Sequence, residues 1–401
     1  MLPFKLGFSA RTRNDLIQNE TSDFVRSLFR ESTGLALIYD GTYLRHGKSA
    51  NSCYQRKTYS MQKTTHLVKP FTICTTTGYV IDMLGPFEAV KNDAQIMQEC
   101  FEKFGLGEFL REGDACFVDR GFRNVERYLQ DRGLTVYMPS TKQGKQLTTE
   151  QANHSKCVTK IRWAVVAVHG MIKQKYRIFD QRIDNDMLPK IGILTRIACF
   201  LHNTFGKRLR SDQTVFDEVS ERMLHLRNAP NTLAEEAEQN RWNLLRERTW
   251  IPVTSDSVPD FPEMTERDLK IFFTGTYQLS QSVSYLAEML TTENTLTVMY
   301  HRDNTNILKL EVPSRHKKRS KYRCYIDYVP DSIGDSGVKR YYCECPNGKR
   351  TVGCCSHVAA VVYYLSCARY LPRIIRPAAI LDSMFHDGAS VPVIDEDSEE
   401  D

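Results

Sequence analysis

The chain has 401 residues, 41% hydrophobic and 26% charged, with a net charge of +5. That length exceeds what one hydrophobic core serves and predicts two or more domains. No run of 18 apolar residues is present to cross a bilayer, and the opening MLPFKLGFSARTRND lacks the apolar stretch of a secretory signal, so an intracellular chain without a membrane partner is expected.

Residues 1–33 read as a helical remnant, with TSDFVRSLF capped by Thr21 and Asp23 close behind. LALIYDGTYL is a short apolar run ending in Asp40 and a glycine, as a buried strand ends. FTICTTTGYVIDMLGPF reads as two β-rich runs joined across Thr77-Gly78, a hairpin. A helix over Asp93–Phe104 follows, and DACFVDRGF is a second apolar run that delivers Asp119. A helix near 124–132 precedes LTVYMP, a strand stopped by Pro139.

Ile161–Asp180, IRWAVVAVHGMIKQKYRIFD, has helical spacing throughout. Ile161, Val165, Val168, Ile172, Tyr176 and Phe179 would face a core. The neighbouring stripe, Arg162, Val166, His169, Lys173 and Arg177, is cationic except for one valine. ILTRIACFLHNTFGKRL is a further apolar helix. The alternation predicts an α/β domain over 34–210. Residues 211–300 read as a helical linker or insertion, with a capping box from Thr265 to Asp268. Residues 301–370 are β-rich with a cysteine cluster, and 371–401 form an extension ending in the acidic IDEDSEED, expected to be disordered.

Because that tail holds six acids and no base, the rest of the chain is more basic than the net charge suggests. Lys142 to Arg182 carries nine Lys or Arg against Glu150 and Asp180. Such a segment suits a polyanion, DNA or RNA, or is simply a solvated helix face. SRHKKRSKYR is a second basic run, fit for phosphates or nuclear import.

The twelve cysteines of an intracellular chain should be reduced, buried or metal-bound. In YYCECPNGKRTVGCCSHVAAVVYYL, Cys343-x-Cys345 and Cys355-x-His357 supply four soft ligands at a spacing that can close a tetrahedral zinc site. Cys354 competes with Cys355, but only Cys355 completes the C-x-C, C-x-H pattern. With no fourth position open to water, the zinc would be structural. The pattern, followed by an apolar helix from His357, resembles the SWIM-type zinc finger, a module associated with DNA and protein contacts.

Asp40 and Asp119 both end strand-like runs, where an α/β sheet opens onto its ligand crevice. Each alone reads as a turn cap. Two carboxylates meeting there can hold Mg²⁺ or Mn²⁺ for phosphodiester cleavage. In order, DGTYL, KSANSCYQRKTYSMQKTTHLVKPF, GPFEAVKNDAQI, DRGF and the Ile161–Asp180 block resemble the DDE transposase/endonuclease domain of the Harbinger-like superfamily.

The resemblance implies an RNase H-like mixed sheet flanked by helices, with Asp40 and Asp119 as the first two catalytic acids. The third acid, a glutamate on the following helix, is replaced by Val166. Nuclease activity is therefore expected to be reduced or absent, while Arg162, His169, Lys173 and Arg177 remain to hold DNA phosphates. Asp93 is expected to cap its helix. Such transposases act as multimers in the nucleus and carry a helix-turn-helix ahead of the catalytic domain. The segment before Asp40 is too short for one, so none is expected within residues 1–39.

Overall fold

The computed structural model describes residues 5–29, 34–209, 215–242, 249–290, 295–314 and 320–371. The centre of the basic run (315–319) and the acidic tail lie outside these residues. The chain divides into two compact units, Met1–Lys142 with Gln151–Arg227, and Gln143–Glu150 with residues 228 onward.

In the first unit, α1 (Arg13–Asn19) and α2 (Asp23–Leu28) precede the strand β1 (Ala36–Gly41). Next come β2 (Leu44–Arg45), α3 (Ser52–Thr58), β3 (Tyr59–Ser60), β4 (Thr65–Thr75) and β5 (Val80–Glu88). Then follow α4 (Asp93–Lys103), α5 (Leu106–Phe109), β6 (Ala115–Phe117), α6 (Glu126–Gln130), β7 (Thr135–Tyr137), α7 (Thr149–Lys175), α8 (Ile191–Phe205) and α9 (Phe216–Leu226). The expected hairpin is β4–β5, with Gly78 at φ +84° in its turn, a conformation glycine adopts without strain.

The sheet runs β5–β4–β1–β6–β7, with the short β2 and β3 also paired to β4. β4 is antiparallel to β1 and β5, while β1, β6 and β7 are parallel. This is the mixed α/β sheet with flanking helices that the sequence predicts. Leu37, Tyr39, Phe71 and Ile73 pack one face against Ile96 and Met97 of α4. Side chains alternate along a strand, so Ile38 and Asp40 point to the opposite face.

Several local expectations are corrected. Ser22, not Thr21, is the N-cap of α2. Asn92, not Asp93, caps α4 in a box with Gln95, which leaves Asp93 in the helix's first turn. The helix expected near 124–132 is present as the shorter α6, preceded by a 3-10 turn, Arg120–Val125. α7 begins twelve residues before Ile161 and stops at Lys175, because Tyr176 leaves helical geometry at φ −121°, ψ 89°. Arg177 and Phe179 therefore sit on a separate 3-10 turn, off the α7 stripe.

The second unit holds α10 (Thr232–Gln239), β8 (Trp250–Thr254), α11 (Glu266–Phe272) and α12 (Tyr277–Met289). β9 (Thr297–His301), β10 (Asn304–Pro313), β11 (Lys321–Tyr328), β12 (Val338–Cys343) and α13 (Ser356–Ser366) complete it. The Thr265–Asp268 capping box forms at the start of α11. The stretch read as helical also contributes β8 and β9 to an antiparallel sheet ordered β12–β11–β10–β9–β8. Pro252 hid β8 from a sequence reading, and it is tolerated because β8 is an edge strand. One sheet face packs on α11, α12 and α13; the other sets Trp250, Tyr325 and Tyr342 against α10 and Trp242.

Ile161, Val165, Val168 and Ile172 of α7 are buried as expected, whereas Val166 is 46% exposed. Val165→Ala should cost about 2 kcal/mol through lost methyl burial and a residual cavity. Val166→Ala should stay within about 0.5 kcal/mol. Urea unfolding of the two variants checks the assignment of faces.

Candidate functional site

Parallel pairing of β1 with β6 sets Ile38 opposite Phe117. Asp40 and Asp119 each lie two residues further on, so both carboxylates reach the same height and the same face of the sheet. Asp119 then caps the 3-10 turn, accepting the Gly121 N–H at 2.7 Å. A side chain at residue 121 would meet Asp119 Oδ1 at 2.9 Å and Asp93 Oδ2 at 3.1 Å, so a Cβ there would displace both carboxylates. Asp93 thus borders the site without capping its helix, with Lys69 Nζ 3.8 Å from its Oδ1.

α7 crosses this face. Arg162 Nη2 lies 3.7 Å from Asp40 Oδ1 and 3.6 Å from Asp119 Oδ2. One guanidinium therefore stands between both carboxylates at ion-pair distance. His169 lies two turns further along α7. Its Nε2 is 2.8 Å from Thr72 Oγ1, and Thr72 is the β4 residue paired with Asp40. His169 Nδ1 is 3.6 Å from Asp40 Oδ2, beyond hydrogen-bond reach. Burial, with Lys173 nearby, pushes the His169 pKa down to about 3, so the ring is neutral.

The residues expected on one DNA-facing stripe are thus divided. Arg162 and His169 turn toward the carboxylates, Arg177 is exposed on its own turn, and Lys173 stays on the α7 stripe with exposed Val166. Thr72 and Lys69 escaped the sequence reading, because strand register brings them near the site; Asp93, read as a cap with a lesser chance of assisting a metal, borders the site from the first turn of α4. Glu150 starts α7 sixteen residues before Val166, about 24 Å along a helix axis, and brings no carboxylate to that position.

In the second unit, Cys343, Cys345, Cys355 and His357 are all buried, and their ligand atoms lie within 4.8 Å of one another. Cys343 ends β12, Cys345 follows in the turn, Cys355 caps α13 and His357 is in its first turn. A side chain at Gly348 would overlap Cys343 O at 1.9 Å, so glycine is required for the turn to fold back on β12. Cys343 Sγ is 3.9 Å from His357 Nδ1, and His357 Nε2 is buried without a hydrogen-bond partner. Burial opposes ionisation of Cys355, but its contacts with Cys343, Cys345 and His357 outweigh that and lower its pKa.

Tetrahedral zinc, with bonds of about 2.0–2.3 Å, needs nitrogen and sulfur atoms at roughly these separations. The quartet fits zinc, and Cys355 rather than Cys354 belongs to it.

Residues 39–203 match the DDE superfamily endonuclease. Residues 322–366 match the SWIM zinc finger. No curated protein and no solved structure matches the chain. The endonuclease-type segment contains Asp40, Asp119, Arg162, Val166 and His169, and the SWIM segment contains the whole zinc quartet.

Among the described residues, that quartet is the one group of three or more Cys, His, Asp or Glu side chains close enough to share a metal. The carboxylate pair as it stands does not fit the magnesium or manganese ion that the resemblance implies. Arg162 stands between the two acids, and Val166 brings no third oxygen. Among the described residues, no helix is long and apolar enough to cross a membrane.

His169 stays unprotonated in the folded chain until about pH 3, whereas in the unfolded chain it takes a proton near pH 6.5. Its contribution is fully present above pH 6.5 and is lost as pH falls from there toward 3. Between pH 7.5 and 5.5 the loss is about 1 kcal/mol. His66 and His202 are lowered in the same direction, so the readout is a comparison with His169→Gln by urea unfolding at both pH values. The variant should lose that share of acid sensitivity. Equal sensitivity in both proteins would mean a charged His169 beside Asp40.

Proposed function

We propose that this chain is a transposase-derived DNA-binding protein in which a DDE nuclease centre has become a metal-free scaffold. The observation that carries the reading is the Arg162 guanidinium between Asp40 and Asp119, with Val166 where the family places its third acid. A guanidinium is permanently charged and cannot activate water as a bound divalent ion does. It offsets one of the two carboxylate charges, so the ends of β1 and β6 are held together without a metal. DNA phosphates would be met by Lys173, Arg177 and the other bases of residues 142–182, and such a protein would work in the nucleus. The SWIM finger, held by structural zinc, supports the same role through contacts with DNA or a partner protein.

In Mg²⁺ or Mn²⁺ the natural chain should leave supercoiled DNA uncut. Nicking abolished by Asp119→Ala would overturn the reading, because it would mean that a metal displaces Arg162. The double variant Val166→Glu/Arg162→Met restores the third acid and removes the guanidinium, and is the form expected to recover cutting. DNA affinity should fall steeply with salt, and Lys173→Ala should lower the log–log salt slope by about 1 without changing sequence preference. A salt-independent affinity would argue against phosphate contacts.

A further inference from the structure

We propose that the zinc module has an additional component, the segment Gln143–Glu150, and that Gln146 locks it onto the turn between Cys343 and Cys345. The inference rests on the zinc reading of the quartet. By its contacts this segment belongs with residues 228 onward, although Gln146 is 197 residues from Cys343 in sequence. It lies outside residues 322–366, which match the zinc finger, and inside residues 39–203, which match the endonuclease.

The Gln146 side-chain amide donates to Cys343 O at 2.8 Å and to Cys345 O at 2.6 Å. Carbonyl oxygens only accept, which fixes the orientation of the amide. Its oxygen, Oε1, then accepts from the Tyr342 hydroxyl at 3.0 Å. One residue on, the Leu147 N–H donates to Pro346 O at 3.0 Å, and the Leu147 side chain is buried. Within the turn, Cys343 N–H donates to Gly348 O and Gly348 N–H donates to Cys345 O, so Cys345 O accepts from both Gly348 and Gln146. Every polar atom of one glutamine side chain is thus spent on the strand end and turn that carry two zinc ligands.

Partners of this kind hold ligating residues in place, and their loss weakens metal binding. With the Cys343–Cys345 turn held, a ligand that detaches stays close to the metal and rebinds. The lock also works in reverse. Without zinc the four ligands have no common centre, the turn loosens, and the two carbonyls move out of reach of Gln146. Since the segment runs directly into α7 at Thr149, zinc occupancy would set how firmly the entry to that helix is held.

The test uses the full-length, zinc-loaded protein. Zinc release to a chromophoric chelator should be about tenfold faster in Gln146→Ala than in the natural chain. Gln146→Glu, which sets a carboxylate against two carbonyl oxygens, should release zinc faster still. Tyr342→Phe keeps the ring, removes one donor and should give an intermediate rate, a check that holds even if Gln146→Ala does not fold. Amide hydrogen exchange supplies a readout independent of affinity: on zinc removal, residues 143–150 should lose protection together with residues 343–357. Unchanged protection of 143–150, or equal release rates in the natural chain and Tyr342→Phe, would overturn the lock. A natural chain that takes up no zinc would overturn the zinc reading, and the proposal with it.

Discussion

The carboxylate site depends on the pairing of two parallel strands. With Ile38 opposite Phe117, residues two further along each strand are level and share a face, so Asp40 and Asp119 must meet. A slip of one residue would send one carboxylate into the apolar face with Tyr39 and Val118. Two acids brought together in this way repel each other unless a cation stands between them. In most settings that cation could be a metal; here the adjacent helix supplies it from within the chain.

Arg162 and His169 are seven residues apart on α7 and so face the same way, toward the sheet. The arginine supplies positive charge, and the histidine, kept neutral, supplies a hydrogen bond to Thr72 beside Asp40. Val166 lies between them on the exposed side of the stripe. A glutamate there would add a third negative charge and compete for Arg162. The valine and the arginine bridge are therefore mutually consistent: each removes a reason for a divalent ion to bind.

The second unit meets a different constraint. Its quartet is buried, with thiols packed against one another and against His357, whose Nε2 has no hydrogen-bond partner. A metal resolves that by replacing weak thiol contacts with coordinate bonds. Around it the sheet face and the nearly all-apolar α13 provide the dry shell. A remote glutamine donates to two carbonyls of the turn that carries two of the ligands.

Much of this was legible in the sequence because it is local. Short apolar runs ending in aspartate, the turn at Gly78, the stripe from Ile161 to Ile172, and the C-x-C, C-x-H spacing are set by neighbours within a few residues. Those patterns determined the α/β class and the zinc quartet. β8 was missed because its proline is harmless only at a sheet edge, a position no local pattern reveals. Arg162 read as a surface cation because helical periodicity says which residues share a stripe, not what that stripe faces. That it faces two carboxylates, that Thr72 holds His169, and that Gln146 closes on the zinc turn were decided by tertiary structure alone. Each depends on segments far apart in the chain being brought within a few ångströms by strand pairing and burial.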